Sequence, residues 1–251
     1  MENEKVLANY IDCIFTVYGE MIENNGEDCY MFSVDSDYGI IGVFDGCGGL
    51  GARKYAEYNH KSGAYIASFI SAKTTLMWFE KICKKRIIFN SDECREICND
   101  LKKDIVNELQ KQTQGICSNG IKGSMVRSFP TTASVILFAI QNGLLYASFI
   151  WAGDSRGYIL TPSGLTQITV DDIENKADAY VNISSDARLT NVVSAEGDFE
   201  LNNQTDSFES PCVLITATDG CFGYFSTPME FEYMLIDTLM KSIARKNGKI
   251  R

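Results

Sequence analysis

The sequence of 251 residues lacks the marks of several protein classes. It has no surplus of positive charge. Its 23 Lys and Arg stand against 33 Asp and Glu, and the net charge of −10 argues against a general nucleic-acid or anionic-membrane binder. No run approaches the roughly 18 apolar residues of a membrane span. Residues 1–5, Met-Glu-Asn-Glu-Lys, bring no basic segment followed by an apolar stretch, so no signal peptide is expected. Nine cysteines are scattered without a Cys-x-x-Cys pair. Cys94 and Cys98 are four apart and share one face of a helix. The cysteines are expected to be reduced, mostly buried thiols rather than zinc ligands or disulfides, and the compartment cytoplasmic. The one histidine, His60, is expected on the surface of a helix. No internal repeat, low-complexity segment or evident linker divides the chain, which reads as a single domain over 1–251.

What is present is a chain 45% hydrophobic, enough for a full core. Its most telling stretch is Gly39-Ile-Ile-Gly-Val-Phe-Asp45-Gly-Cys-Gly-Gly-Leu-Gly51. An apolar run reads as a buried strand and ends in a carboxylate, followed by glycines that allow a tight turn and close approach. An Asp at the mouth of a buried strand is costly unless it meets a cation or donors. Upstream, residues 11–18 predict a strand with Cys13, Phe15 and Val17 on one face. A polar turn at Glu23-Asn-Asn-Gly26 leads to Glu27-Asp28 and a strand over 29–34. Downstream, residues 50–72 carry helical spacing, 74–89 suggest a second helix, and Ser91 is expected to cap a third through Gln112. Residues 113–128 read as a loop. Thr132–Ile140 and Leu144–Trp151 flank Asn142-Gly143, the strongest short hairpin signal. A second hairpin turns at Pro162-Ser-Gly164. Residues 171–188 are polar and acidic, Leu189–Val193 is a short strand candidate, and Cys212–Thr218 is a buried run. A helix over 228–244 and a basic tail end the sequence. The layout is α+β with mostly antiparallel sheets.

Three apolar runs each deliver an Asp beside a small residue: Asp45-Gly46, Asp154-Ser155 and Asp219-Gly220. Glu27-Asp28 adds a fourth acidic element between two strands. Any one alone reads as an ordinary turn, with the Asp bonding its own backbone. Suppose instead that they converge. Two carboxylates about 4 Å apart repel by roughly 4 kcal/mol at an effective dielectric of about 20. Such a cluster needs protons or a bound cation, and with no His or Cys placed to join it the ligand set is all oxygen. That selects Mg²⁺ or Mn²⁺ over zinc. A pair of such ions bridged by one carboxylate can activate a water for attack on phosphorus. The rival reading, a dinucleotide loop at Gly46-x-Gly48-x-x-Gly51, has Asp45 beside the pyrophosphate and no acidic residue about 20 residues on. It also has helix where a parallel strand should follow. A P-loop is excluded by the missing lysine.

In this order the motifs resemble those of the metal-dependent Ser/Thr protein phosphatases, the type 2C or PPM family, in bacterial form. The matching pieces are Asn25-Gly-Glu27-Asp28, Val43-Phe-Asp45-Gly-Cys-Gly-Gly49, Thr131-Thr-Ala133, Ala152-Gly-Asp154-Ser-Arg-Gly-Tyr158, Gly164-Leu-Thr-Gln-Ile-Thr169 with Asp171-Asp172, Leu189-Thr190, and Ala217-Thr-Asp219-Gly220. They span about residues 11–225. The resemblance implies a four-layer α-β-β-α sandwich, two antiparallel sheets flanked by helices, with two Mn²⁺ or Mg²⁺ ions at one end. It implies that Asp45 bridges the ions, that Asp219 holds one, and that Glu27 and the Gly46 carbonyl serve the other. Asp28 would orient or deprotonate the attacking water, and Asp154 matches the position of a weaker third ion. The implied substrates are phosphoserine and phosphothreonine proteins, cleaved by a metal-activated water without a phospho-enzyme. A cognate Ser/Thr kinase would be a partner, and the protein would be a monomer.

The sequence also departs from the family pattern. Glu23 stands where a phosphate-gripping Arg is common, Cys47 where many members have His, and Gly223 where a second Asp is common. The segment from Asp171 to Leu189 is short for the family's flap. The family continues past the final helix to an Asp-Asn pair and one more core strand, which this sequence does not show. The expectation is a domain lacking its C-terminal strand, and hence truncated or short of one ligand. The alternative function is a catalytically weak or inactive phosphatase-like module that binds phosphoproteins.

Overall fold

The computed structural model describes residues 7–20, 25–113, 128–174 and 188–246. Two antiparallel sheets stack face to face. The first has the order β1 (Cys29–Val34), β2 (Tyr38–Phe44), β5 (Ala133–Gln141), β6 (Leu144–Ala152), β9 (Asn202–Phe208). The second has the order β10 (Val213–Ala217), β7 (Arg156–Thr161), β8 (Gly164–Gln167). A two-stranded ribbon, β3 (Lys54–Tyr55) with β4 (Lys61–Ser62), leads into the long helix α1 (Gly63–Ile82). Helices α2 (Ser91–Thr113), α3 (Asp219–Phe222) and α4 (Pro228–Lys246) complete the chain.

Side-chain alternation builds the layers. On β5, Val135, Leu137 and Ala139 pack with Trp78, Phe79, Leu101 and Ile105 of α1 and α2, whereas Ile136 and Phe138 enter the inter-sheet core with Leu145 and Phe149. This strand is covered on both faces, hence its nearly continuous apolar run. Beyond the second sheet, Tyr158 and Ala217 pack on Phe231 of α4. The four-layer α-β-β-α expectation is met. The Asn142-Gly143 hairpin is present, with both residues left-handed at φ 53° and 79°, joining Gln141 to Leu144. Among the described residues, no helix is long and apolar enough to cross a membrane.

Several local expectations are corrected. Residues 11–20 form no strand, and Phe15 and Val17 are exposed. Alternation is not enough without a ladder: this stretch is held by Ile11 packing on the inter-sheet core and a Tyr18–Tyr30 ring contact. Helix does not begin at Leu50, because Gly51 and the β3–β4 ribbon intervene; it then runs unbroken through 63–82. His60 is exposed as expected but sits in the ribbon's turn, not in a helix. Asn90, not Ser91, caps α2, its side-chain oxygen accepting from Glu93 N at 2.9 Å. Leu189 and Val193 make only isolated bridges. The eight described cysteines are free, but only Cys94 and Cys98 are buried. Cys13 and Cys221 are exposed because neither the 11–20 stretch nor short α3 is covered. Glu23, most of the loop expected at 113–128 and most of the polar, acidic stretch at 171–188 lie outside the described residues.

Candidate functional site

The strand registers dictate where the carboxylates meet. Cys29 pairs with Phe44, so Asp28 and Asp45 emerge side by side. Val43 pairs with Ser134 and Ala133 with Ala152, which brings the turn carrying Asp154 to the same end. Ala217 pairs with Arg156, so Asp219 arrives there from the second sheet. The backbone of Asp45 is clamped by the two residues just before β5: its carbonyl accepts from Thr131 Oγ1 at 2.7 Å and from Thr132 N at 2.8 Å. Thr132 and Ser155 hydroxyls meet at 2.6 Å, tying this clamp to the Asp154 turn.

Three carboxylates crowd together. Asp45 lies in hydrogen-bonding reach of Asp28 and Asp219; burial, then the negative charges of those two, push its pKa up to about 10. Asp28 is also raised, chiefly by burial, although Thr218 Oγ1 donates to its Oδ2 at 2.9 Å and favours the ionised form. Asp154 is pushed up to about 6 by burial, then by Asp219 and Asp171. The Cys47 thiol is held protonated by burial and by Asp45, Asp154, Asp219 and Glu27 together.

Glu27 stands toward α1. Its carboxylate accepts from the Ser62 hydroxyl, which also caps α1 by accepting from Tyr65 N at 3.1 Å, and it presses against Gly48. Gly46 is buried where Ala64 and Glu27 backbone atoms leave no room for a side chain. Ser62 and Thr218 were not anticipated as site residues. The first has a legible signal, a serine just before a helical run. The second sits in the Ala217-Thr-Asp219-Gly220 motif, but nothing local signals its partner, 190 residues away.

The donor chemistry fits a hard divalent ion: the donors are oxygen and negative, and burial first, then neighbouring carboxylates, hold Asp45 and Asp28 above the usual carboxylate range. Among the described residues no group of three or more His, Cys, Asp or Glu is placed so that it could hold a metal ion as it stands. The fit therefore rests on charge and donor type.

Behind the site, Arg156 grips Asp171, with Nη2 at 2.7 Å and Nε at 3.0 Å from its two oxygens, while the guanidinium lies 3.9 Å from the Phe222 ring centroid. Arg156→Ala is expected to cost about 2–3 kcal/mol in urea unfolding, because Asp171 is left partly buried without its partner. It should also raise the Asp154 pKa, since Arg156 lowers it and Asp171 raises it. Carboxyl NMR titration of the metal-free protein reads that shift.

No family model matches the sequence, and no curated protein does. Solved structures do. The serine/threonine phosphatase Stp1 from Staphylococcus aureus superposes with a TM-score of 0.58 at 16% identity, over 95% of each chain. The S. agalactiae serine/threonine phosphatase gives 0.57 at 15%, over 84% of this chain and 80% of that one. The catalytic domain of the serine/threonine protein phosphatase PstP in complex with 2 manganese ions gives 0.52 at 14%, over 84% and 79%. The structures this chain resembles are thus bacterial serine/threonine phosphatases, and the chain has their fold.

Proposed function

We propose that the chain is a Mn²⁺- or Mg²⁺-dependent serine/threonine phosphoprotein phosphatase. The observation that carries this reading is the strand register that brings Asp28, Asp45 and Asp219 to one end of the sandwich, with Asp45 in hydrogen-bonding reach of the other two. Carboxylates so placed gain most from divalent cations. Asp45 and Asp219 would hold one ion, and Asp45, Glu27 and the Gly46 carbonyl the other, with Asp154 serving a weaker third. Bound ions would neutralise phosphate oxygens and make a water more acidic.

The chain's own residues account for the rest. Asp28, fixed by the Thr218 hydroxyl and raised in pKa by burial, is suited to take the proton of the attacking water. The water oxygen bonds to phosphorus as the bond from phosphorus to the serine or threonine oxygen breaks. That oxygen takes up a proton, leaving a free hydroxyl and inorganic phosphate. Thr131 and Thr132 hold Asp45 in place throughout. Substrates would be phosphorylated proteins, supplied by a Ser/Thr kinase.

The purified chain should hydrolyse a phosphothreonine peptide with Mn²⁺ and stop when excess chelator is added. Turnover that survives the chelator would sink the mechanism. The unfinished ligand set favours a second reading, a non-catalytic phosphoprotein-binding relative. Weak Mn²⁺ binding by calorimetry in a folded protein without turnover would support that one instead.

A further inference from the structure

The last helix is apolar on two opposite faces. Phe231 is buried against Tyr158 and Ala217 of the second sheet, with Met234 and Leu235 packed beside it. The Glu232 carboxylate accepts from Leu165 N at 3.1 Å, so α4 is fastened to the sandwich. The outward face carries Met229, Tyr233, Ile236, Met240 and Ile243, which are 41–78% exposed. They follow one another at intervals of four, three, four and three residues. At ~100° per residue they fall within about 80° of the helix circumference, on the side away from Phe231. Among the described residues, the other α-helices expose only Phe69 and Met77 as large hydrophobic side chains, both on α1.

A four–three repeat of apolar side chains is the seam that a second helix fills, each side chain seating among those of the facing helix. A strand repeats every second residue and would not match it. Two heptads are too few for a coiled coil of free chains. Here the helix is already ordered by the second sheet, so pairing costs little further chain entropy. The charge of α4 is also divided along its length: Glu230, Glu232 and Asp237 lie in the first part, Lys241, Arg245 and Lys246 in the last. Lys241 bonds Asp237 at 2.6 Å across the middle, which leaves an acidic start and a basic end. Two such helices side by side repel when parallel and attract when antiparallel. A two-fold axis perpendicular to them gives the antiparallel pair and closes after two copies.

We infer that the exposed stripe of α4 is a homodimer interface, in which α4 packs antiparallel on α4 of a second copy of this chain. This departs from the monomer that the family resemblance implies, and it does not depend on the phosphatase reading. The five side chains offer on the order of 500 Å² per copy, so the pair buries roughly 1,000 Å², the low end of specific interfaces, and a Kd in the micromolar range is expected.

The test is sedimentation equilibrium of the full chain across that range, from about 1 to 100 µM, where a monomer–dimer equilibrium should saturate at twice the chain mass. Tyr233→Glu and Met240→Glu should each weaken dimerisation at least tenfold, because a carboxylate must then enter the seam. Their melting as dilute monomers should stay near wild type, since both positions face solvent in the single chain. Met77→Glu, at the exposed position on α1, is the control and should leave the dimer intact. Benzoylphenylalanine in place of Met229, in mixed isotope-labelled and unlabelled chains, should crosslink to the last turns of the partner's α4. A wild type that stays monomeric throughout overturns the inference, as does a mass that rises past the dimer without saturating. A dimer that both Glu variants leave at wild-type affinity overturns it too, and crosslinks to the first turn of the partner's α4 overturn the antiparallel arrangement. Should either Glu variant unfold, Ile243→Ser must show the loss of dimer, and wild-type affinity there overturns the inference.

Discussion

Asp45→Asn is expected to melt higher than the wild type in metal-free buffer at pH 7, and to lose Mn²⁺-dependent hydrolysis altogether. The side chain of Asp45 is an ordinary carboxylic acid in the unfolded chain, with a pKa of 3.8, and is pushed up to about 10 in the fold. Below about pH 4 it is protonated in both states. Between there and about pH 10 only the folded state keeps the proton, so metal-free stability falls as pH rises. By pH 7 the loss attributable to this residue is on the order of 4 kcal/mol. Asparagine keeps the shape and the hydrogen bonds of the protonated acid and carries no titration. At ~2–4 °C per kcal/mol, a rise of roughly 10 °C is expected at pH 7 and almost none at pH 4. Saturating Mn²⁺ should stabilise the wild type strongly and the variant little. Thermal melts at pH 4, 7 and 8.5, with and without Mn²⁺, provide the check. A variant that melts below the wild type at pH 7 without metal would contradict this account of the trio.

Gly46→Ala is expected to be as damaging as any single methyl addition in the molecule. A Cβ at Gly46 would lie 2.6 Å from the Ala64 carbonyl oxygen, 2.7 Å from its carbon and 2.9 Å from the Glu27 carbonyl oxygen. All three are backbone atoms, so no rotamer change relieves the overlap. Ala64 is further held by its N–H bond to Gly51 O at 3.2 Å. Either α1 or the Glu27 loop must shift. The expected cost is about 3 kcal/mol, at the upper end of overpacking. Mn²⁺ affinity should fall at least tenfold, because the loop that moves carries Glu27 and Asp28. Gly49→Ala is the matched control: a Cβ there meets nothing within 4 Å, and near-wild-type stability is expected. Urea unfolding and Mn²⁺ calorimetry on both variants decide the matter. Equal stability of Gly46→Ala and wild type would refute the packing argument.

The parts of the fold that were legible in sequence are those where local chemistry and tertiary environment agree. The run into Asp45 is apolar because β2 is central and covered, and Asn142-Gly143 is a turn in any context. β9 was invisible: Asn202–Phe208 is an edge strand with mostly polar side chains, so nothing in its pattern distinguishes it from a loop. Residues 11–18 erred the other way, since apolar alternation cannot report whether a partner strand is at hand. The ribbon at 54–62 lies in a stretch with helical spacing, rich in Ala, Lys, Glu and Tyr, and the left-handed pair Asn59-His60, though of residue types that tolerate positive φ, is too weak a signal to break that pattern. Of the candidate site, the acids themselves were legible from their places at strand ends. The bonds that support them were not: Ser62 can be read as a helix cap and Thr131 and Thr218 sit in the quoted motifs, but the partners they hold lie across the sequence and not along it.

The bond from Thr218 to Asp28 closes a loop of 190 residues, nearly the whole described chain. Contacts of such separation are entropically the last to form, because most of the intervening chain must already be ordered before they are rewarded. Asp28 and Asp45 emerge together once β1 and β2 pair, but Asp219 can join them only after both sheets have formed and stacked. The site therefore matures at the end of folding, and partly folded chains would have only half of it. In refolding, recovery of the complete carboxylate cluster should lag the return of secondary structure.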